Sequence, residues 1–216
     1  MTEHAFDTMR RAMVASQLRT TGVNDPRVVA AMGEVPRERF VAADRAALAY
    51  ADASLPLGDG RALNPPMALG RMLTEARLDG GEHALVIGAA TGYAAAVLAR
   101  LARSVVALED APELIATARA ALAGTAVELV EGPLAQGWAA RAPYDFILID
   151  GAVDEVPQAI VDQVADGGRI ALALLDRGVS RLAVGRVVAG ALGVTTYADA
   201  AVAPLPGFEK PGIFSF

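Results

Sequence analysis

The residues with the most chemical content lie where a short apolar run gives way to small side chains, at Val86-Ile87-Gly88-Ala89-Ala90-Thr91-Gly92-Tyr93. Small residues there let a ligand approach the backbone, and the start of a following helix offers free amide groups. A dinucleotide fingerprint needs glycine at its first, third and sixth positions. Counted from Gly88 these are Gly88, Ala90 and Tyr93, so the nicotinamide reading fails at the sixth. Small residues recur two apart instead, at Gly88, Ala90 and Gly92. Taken alone, the segment also fits a tight strand-to-helix turn that binds nothing. Glu109 shifts the balance, because it ends the next apolar run about 20 residues on, where a carboxylate can accept hydrogen bonds from ribose hydroxyls. Asp110 beside it fits an ordinary solvated strand end as well. Loop and acid together favour an adenosine-type ligand. Glu131-Gly132 and Asp150-Gly151 follow two further apolar runs and fall on the same edge, where open α/β sheets bind their ligands.

The elements that must position these residues can be read from the pattern. From His83 onward, apolar runs at Ala84 to Ile87, Val105 to Leu108, Val127 to Val130, Phe146 to Ile149 and Ile170 to Leu175 predict strands buried on both faces. They alternate with helical stretches at Tyr93 to Ala102, Pro112 to Leu122 and Pro157 to Val164. That alternation predicts an α/β, Rossmann-like, doubly wound and mainly parallel sheet with helices on both faces. Leu182 to Val188 and Val194 to Val202 are expected as antiparallel strands closing one edge. Phe6 to Leu78 reads as helical pieces separated by loops. Asp25-Pro26 supplies an N-cap followed by proline at the first helical position, another helix starts near Pro66, and the Gly58-Asp59-Gly60 cluster is punctuation. One domain is expected over residues 1–216, with 1–80 a helical N-terminal segment and 81–216 the α/β core.

Composition narrows the chemistry. A 216-residue chain can bury about 70% of the surface it exposes when unfolded. With 54% hydrophobic and 20% charged residues it is neither disordered nor fibrous. The absence of cysteine excludes disulfides, thiolate zinc sites and cysteine nucleophiles. A net charge of −6, with Lys210 the only lysine, argues against nucleic-acid and membrane-surface partners. The N-terminus reads as no signal peptide, and the uncharged stretch from Ala84 to Ala99 is shorter than the ~20 residues of a membrane span. A cytoplasmic protein, a monomer rather than an oligomer, is the expectation. His4 and His83 lie far apart, and His83 reads as a strand cap. No Gly-x-Ser-x-Gly elbow and no P-loop occurs. What remains is a reaction that needs mostly positioning. Methyl transfer from a sulfonium is one, since the donor is already activated and alignment supplies most of the catalysis. A carboxylate acceptor is ionised at neutral pH and needs no general base.

Further motifs extend over nearly the whole length. They include Met13-Val14-Ala15-Ser16-Gln17-Leu18-Arg19, Gly22-Val23-Asn24-Asp25-Pro26-Arg27-Val28, Val35-Pro36-Arg37-Glu38-Arg39-Phe40-Val41, Gly137-Trp138, Ala142-Pro143-Tyr144-Asp145 and Gly167-Gly168-Arg169. In these the chain resembles the protein-L-isoaspartate O-methyltransferases, S-adenosylmethionine-dependent enzymes of the Rossmann-like class. The family's loop Pro-Ile-Gly-x-Gly-Gln-Thr-Ile-Ser-Gln-Pro lies over Pro56 to Pro66. The resemblance implies cofactor contacts at Gly88, Ala90 and Gly92, with Ala89 and Tyr93 in the same loop, at Glu109 with Asp110, and at Glu131-Gly132. It places Leu63 and Asn64 against the methionine end of the cofactor and the acceptor, an isoaspartyl peptide or protein or a small acidic molecule.

The chain departs from the family pattern at several of these places. Ala90 replaces a loop glycine and narrows the cradle, Val86 replaces an acidic residue, and Gln-Thr-Ile-Ser reads Arg61-Ala62-Leu63-Asn64. Asn64 keeps a donor and an acceptor for substrate. Asp150 stands where the family has a small or weakly polar residue, and it is expected near the acceptor. In metal-dependent small-molecule O-methyltransferases an aspartate of the corresponding strand binds a divalent cation, and Asp176 could supply a second oxygen. The expectation is nonetheless a metal-free carboxylate methyltransferase with Asn64 and Asp150 at the acceptor. The metal-dependent enzyme and a non-catalytic cofactor-binding relative are the alternatives.

Overall fold

The N-terminal third lays helices and one hairpin against the rest of the chain in the computed structural model, which describes residues 2–58 and 60–210. Asp59 of the glycine cluster lies outside the described residues. Helix α1 (Glu3–Met13) runs into a π-helical turn over Val14–Leu18 and a tighter turn that Gly22 ends in a left-handed conformation. Helix α2 (Pro26–Glu34) starts where the sequence places it, with the Asp25 carboxylate accepting from the amides of Arg27 and Val28. Next comes an antiparallel hairpin, β1 (Leu55–Gly58) and β2 (Arg61–Leu63), where the sequence predicts only loop. Its strands are too short, and too broken by Pro56, Gly58 and Gly60, to show a period. Helix α3 (Pro66–Ala76) follows, with Pro66 at its first turn.

The alternating pattern after His83 becomes a single seven-stranded sheet. Strands β3 (His83–Ile87), β4 (Ser104–Glu109), β5 (Val127–Glu131), β6 (Tyr144–Val153) and β7 (Val164–Asp176) are mutually parallel. Strands β8 (Val179–Val188) and β9 (Ala191–Asp199) add antiparallel, giving the order β5-β4-β3-β6-β7-β8-β9. The intervening helices are α4 (Tyr93–Leu98), α5 (Pro112–Ala121) and α6 (Gln158–Val161). Helices α4 and α6 are shorter than their apolar runs suggest. Residues 164–168, expected as the end of a helix and a glycine turn, instead start β7. Val164 pairs with Tyr144, and the register then jumps so that Phe146 pairs with Arg169. Gly168 permits this irregularity, since a Cβ there would lie 2.6 Å from Val164 Cγ1.

Side chains of the parallel strands alternate between two cores, as the period of 2 requires. Ala84, Val86, Val105, Ala107, Phe146, Leu148, Ala171 and Ala173 face the layer built with α1 to α4. Leu85, Ile87, Val106, Leu108, Ile147, Ile149, Ile170 and Leu172 face the other, with Leu205 and Phe208 of the C-terminal segment. Each large apolar side chain fully buried in this way contributes about 1.5–3 kcal/mol. Strand order reverses at β3, which has β4 on one side and β6 on the other, and a crevice therefore opens at their carboxyl ends. Pairing of β3 with β6 stops at Ile87 and Ile149. Beyond that point β6 meets a different partner: the amide of Ala152 donates to the carbonyl of Ala203 at 2.8 Å, and that of Leu205 to the carbonyl of Ala152 at 2.8 Å. No helix among the described residues is long and apolar enough to cross a membrane.

Candidate functional site

The loop after β3 takes its shape from three left-handed residues, Gly88 at φ +77°, Ala90 at φ +49° and Gly92 at φ +98°. For an alanine this conformation costs about 1–2 kcal/mol. Ala90 is held there by its own amide, which donates to Glu109 Oε2 at 2.5 Å. The amides of Gly88 and Ala89 both donate to the Leu108 carbonyl at 3.0 Å. The amides of Gly88, Ala89 and Ala90 are thus spent on β4, and that of Gly92 on the Ala89 carbonyl at 2.7 Å.

Glu109, fully buried, ends β4 as expected. Its Oε1 accepts from Arg61 Nη1 at 2.6 Å and from the amides of Asp110 at 3.0 Å and Ala111 at 3.1 Å. Arg61, at the start of β2, is only 5% exposed, and its guanidinium also lies 3.4 Å from Asp110 Oδ1. Burial raises the Asp110 carboxyl above its usual range. The hydrogen bond and charge of Glu109 push the same way, against Arg61. A buried carboxylate persists only when its acceptors are satisfied, and the amides of Ala90, Asp110 and Ala111 do that beside Arg61.

Asn64, one residue beyond β2, ties three pieces of chain together. Its Nδ2 donates to the carbonyl and to Oδ1 of Asp150, each at 3.1 Å, and its Oδ1 accepts from the Ala203 amide at 3.0 Å. Its carbonyl accepts from Arg37 Nη2, while Arg37 Nε donates to the Ala49 carbonyl at 2.6 Å. Arg37 is fully buried, with its guanidinium carbon 4.6 Å from the centre of the Tyr93 ring. Desolvation raises the Asp150 carboxyl, opposed by the Asn64 hydrogen bond and by the charges of Arg61 and Arg37.

The structure therefore gathers Gly88, Ala89, Ala90, Glu109 and Asp110 on one side of the crevice and Leu63, Asn64 and Asp150 on the other. Glu131 and Gly132 adjoin Glu109, which pairs with Glu131 in the β4–β5 ladder and whose carbonyl accepts from the Gly132 amide at 3.1 Å. The Tyr93 side chain is buried beside Arg37 and edge-on to Phe40, with ring centroids 5.5 Å apart. Glu131 is exposed at the end of β5, and Gly132 sits under Trp138, whose Cζ3 would be 3.1 Å from an added Cβ. Asp176 is exposed between Arg181 at 3.8 Å and Arg177 at 3.9 Å. No group of three or more candidate ligands for a metal occurs among the described residues. His83 is a strand residue, its ring bonded to Ser104 Oγ and the Arg141 carbonyl and stacked on Tyr144.

Sequence reasoning missed two occupants of the crevice. Arg61 was visible only as a departure from a pattern. Leu205 carried no signal at all, yet it lies where Gly88 and Gly151 leave room. A Cβ at 88 would come within 2.8 Å of Leu205 Cδ1 and 3.0 Å of Arg61 Nη2, and one at 151 within 2.7 Å of Leu205 Cβ. An adenosine at this edge needs a free Glu109 and an open surface over Gly88. The side chains as arranged leave neither, since Arg61 is bonded to Glu109 and Leu205 covers Gly88.

A family model described as protein-L-isoaspartate(D-aspartate) O-methyltransferase matches residues 9–187. Protein-L-isoaspartate O-methyltransferase 1 of Rhodopseudomonas palustris is 40% identical over 182 residues, which is 82% of this chain and 74% of the relative. The protein-L-isoaspartate O-methyltransferase of Koribacter versatilis is 38% identical over 210 residues, 96% of this chain and 94% of the relative. Among solved structures, one protein-L-isoaspartate O-methyltransferase superposes with a TM-score of 0.80 at 23% identity, covering 94% of this chain and 66% of that longer one. A second, a putative protein-L-isoaspartate O-methyltransferase from Plasmodium falciparum in complex with S-adenosyl-L-homocysteine, gives 0.75 at 16% identity, covering 91% and 97%. The two structures share the Rossmann-like fold of this chain.

Proposed function

The chain belongs to the protein-L-isoaspartate(D-aspartate) O-methyltransferase family of S-adenosylmethionine-dependent methyltransferases, and on that premise we propose that it methylates a carboxylate, that of an isoaspartyl residue in a damaged protein or of a related acidic acceptor. The observation that carries this reading is the clamp of Asn64 on Asp150 beside the hairpin that lies over the family's acceptor loop. It sets a buried polar amide against a carboxyl in the crevice, with the buried guanidinium of Arg37 bonded to the Asn64 carbonyl. An ionised acceptor carboxylate needs no base, so these residues have only to bind and orient it. Burial raises the Asp150 carboxyl, and the Asn64 hydrogen bond and the charges of Arg61 and Arg37 oppose it. Its engagement with Asn64, and that of Asp176 with arginines, support a site that works without a metal.

In this reading the chain is one domain, residues 1–80 serving the acceptor and 81–216 the cofactor, and it acts as a cytoplasmic monomer. The test is methyl-ester formation on an isoaspartyl peptide against its aspartyl isomer, at millimolar S-adenosylmethionine, with and without chelator. Selective methylation that chelator leaves unchanged is expected. Equal labelling of both peptides, no labelling of either, or a requirement for magnesium would overturn it.

A further inference from the structure

The obstruction over this crevice is built from specific, separable parts. Resting on the donor assignment above, we infer that the chain closes its own cofactor site: Arg61 and Leu205 form an internal plug that S-adenosylmethionine must displace.

Arg61 presents N–H donors to Glu109 Oε1, the same kind of partner that ribose hydroxyls would offer, so guanidinium and cofactor exclude one another at that oxygen. Leu205 covers the small-residue floor, meeting Gly88 and Gly151 at distances where even a methyl group would collide. The two parts come from opposite ends of the chain yet are linked. Asn64, which follows the hairpin, accepts from the Ala203 amide at 3.0 Å, and Ser54 Oγ donates to the Ala201 carbonyl at 3.0 Å.

Neither part belongs to the seven-stranded sheet. Segment 203–205 joins β6 through two backbone hydrogen bonds, and the hairpin pairs as strands only with itself, its Pro56 carbonyl accepting from Arg45 Nη1 at 2.6 Å and its Leu55 and Leu63 reaching the core. Left-handed glycines flank both parts, Gly58 and Gly60 in the hairpin and Gly207 after the segment, at φ +105°, +71° and +86°. The plug can therefore lift without breaking a sheet strand, and affinity falls by the fraction of molecules that are open.

The test is calorimetric titration of the full chain with S-adenosylhomocysteine, comparing the parent with Arg61→Gln, Leu205→Ala and the double variant. Each single substitution is expected to tighten binding by about tenfold or more, as a larger open fraction requires. Hydrogen exchange gives a second readout. Ligand ordinarily slows exchange, but saturating S-adenosylhomocysteine should here accelerate it at the amides of Ala203 and Leu205. If Leu205→Ala does not fold, Arg61→Gln and the exchange measurement carry the test. Parent and variants binding equally, with no acceleration at Ala203 or Leu205, would overturn the plug and leave the donor assignment standing. No binding by a natively folded double variant would remove the donor assignment and the plug together.

Discussion

Glu109→Ala tests the central electrostatic feature of the crevice without any ligand. In the parent, Glu109 accepts from Arg61 Nη1 and from the amides of Ala90, Asp110 and Ala111. Truncation leaves the Arg61 guanidinium with only Asp110 Oδ1 at 3.4 Å and releases Ala90, whose left-handed backbone depends on that carboxylate. Breaking one side of a buried ion pair costs about 3–5 kcal/mol. For a chain of this length that corresponds to a melting temperature lower by about 6–20 °C, at about 2–4 °C per kcal/mol. The double variant Arg61→Leu with Glu109→Gln removes both charges and keeps a carbonyl for the amides of Asp110 and Ala111 while giving up the acceptor of the Ala90 amide, so it should lie closer to the parent than either single variant. Urea unfolding of the parent, Glu109→Gln, Arg61→Leu and the double variant at pH 7 closes the cycle, and a non-additivity of at least about 3 kcal/mol is expected, because each single variant strands one charge. A coupling below about 0.5 kcal/mol, or a Glu109→Ala variant as stable as the parent, would refute the claim that this pair holds the crevice together.

Gly88→Ala should destabilise by about 1–3 kcal/mol, because its methyl would lie 2.8 Å from Leu205 Cδ1 at a φ of +77°. Part of that loss should return in combination with Leu205→Ala, read from the same urea curves. Asp25→Ala removes the cap that accepts from the amides of Arg27 and Val28, and a loss of about 1 kcal/mol is expected in thermal melts. Asp150 binds a proton more tightly when folded than unfolded, since burial raises it. Its contribution to stability therefore falls as pH rises from the ordinary carboxylate value through the raised one. Asp150→Asn should abolish that fall, gaining on the parent toward neutral pH, and unfolding curves from pH 4 to pH 8 that run parallel would contradict the assignment.

Period and punctuation made much of the fold legible. The runs at Ala84 to Ile87 and Val105 to Leu108 have the length and composition of strands covered on both faces, and Asp25-Pro26 carries the signals of a helix start. The loop at Gly88 and the acid at Glu109 were legible as a pair because both follow strand ends in one βαβ unit, where chain geometry fixes their proximity. The hairpin at Leu55–Gly58 and Arg61–Leu63 was not, since strands of four and three residues show no repeat. Nor was the early start of β7 at Val164, which Gly168 allows through a contact with its own strand. What the sequence by itself determined was where a carboxylate and a glycine turn would meet. Only the tertiary structure decided what meets them, Arg61 from 48 residues upstream of Glu109 and Leu205 from the far end of the described chain. Backbone periodicity is a local property written every two to four residues, whereas the partner of a buried charge is chosen by packing across the whole molecule.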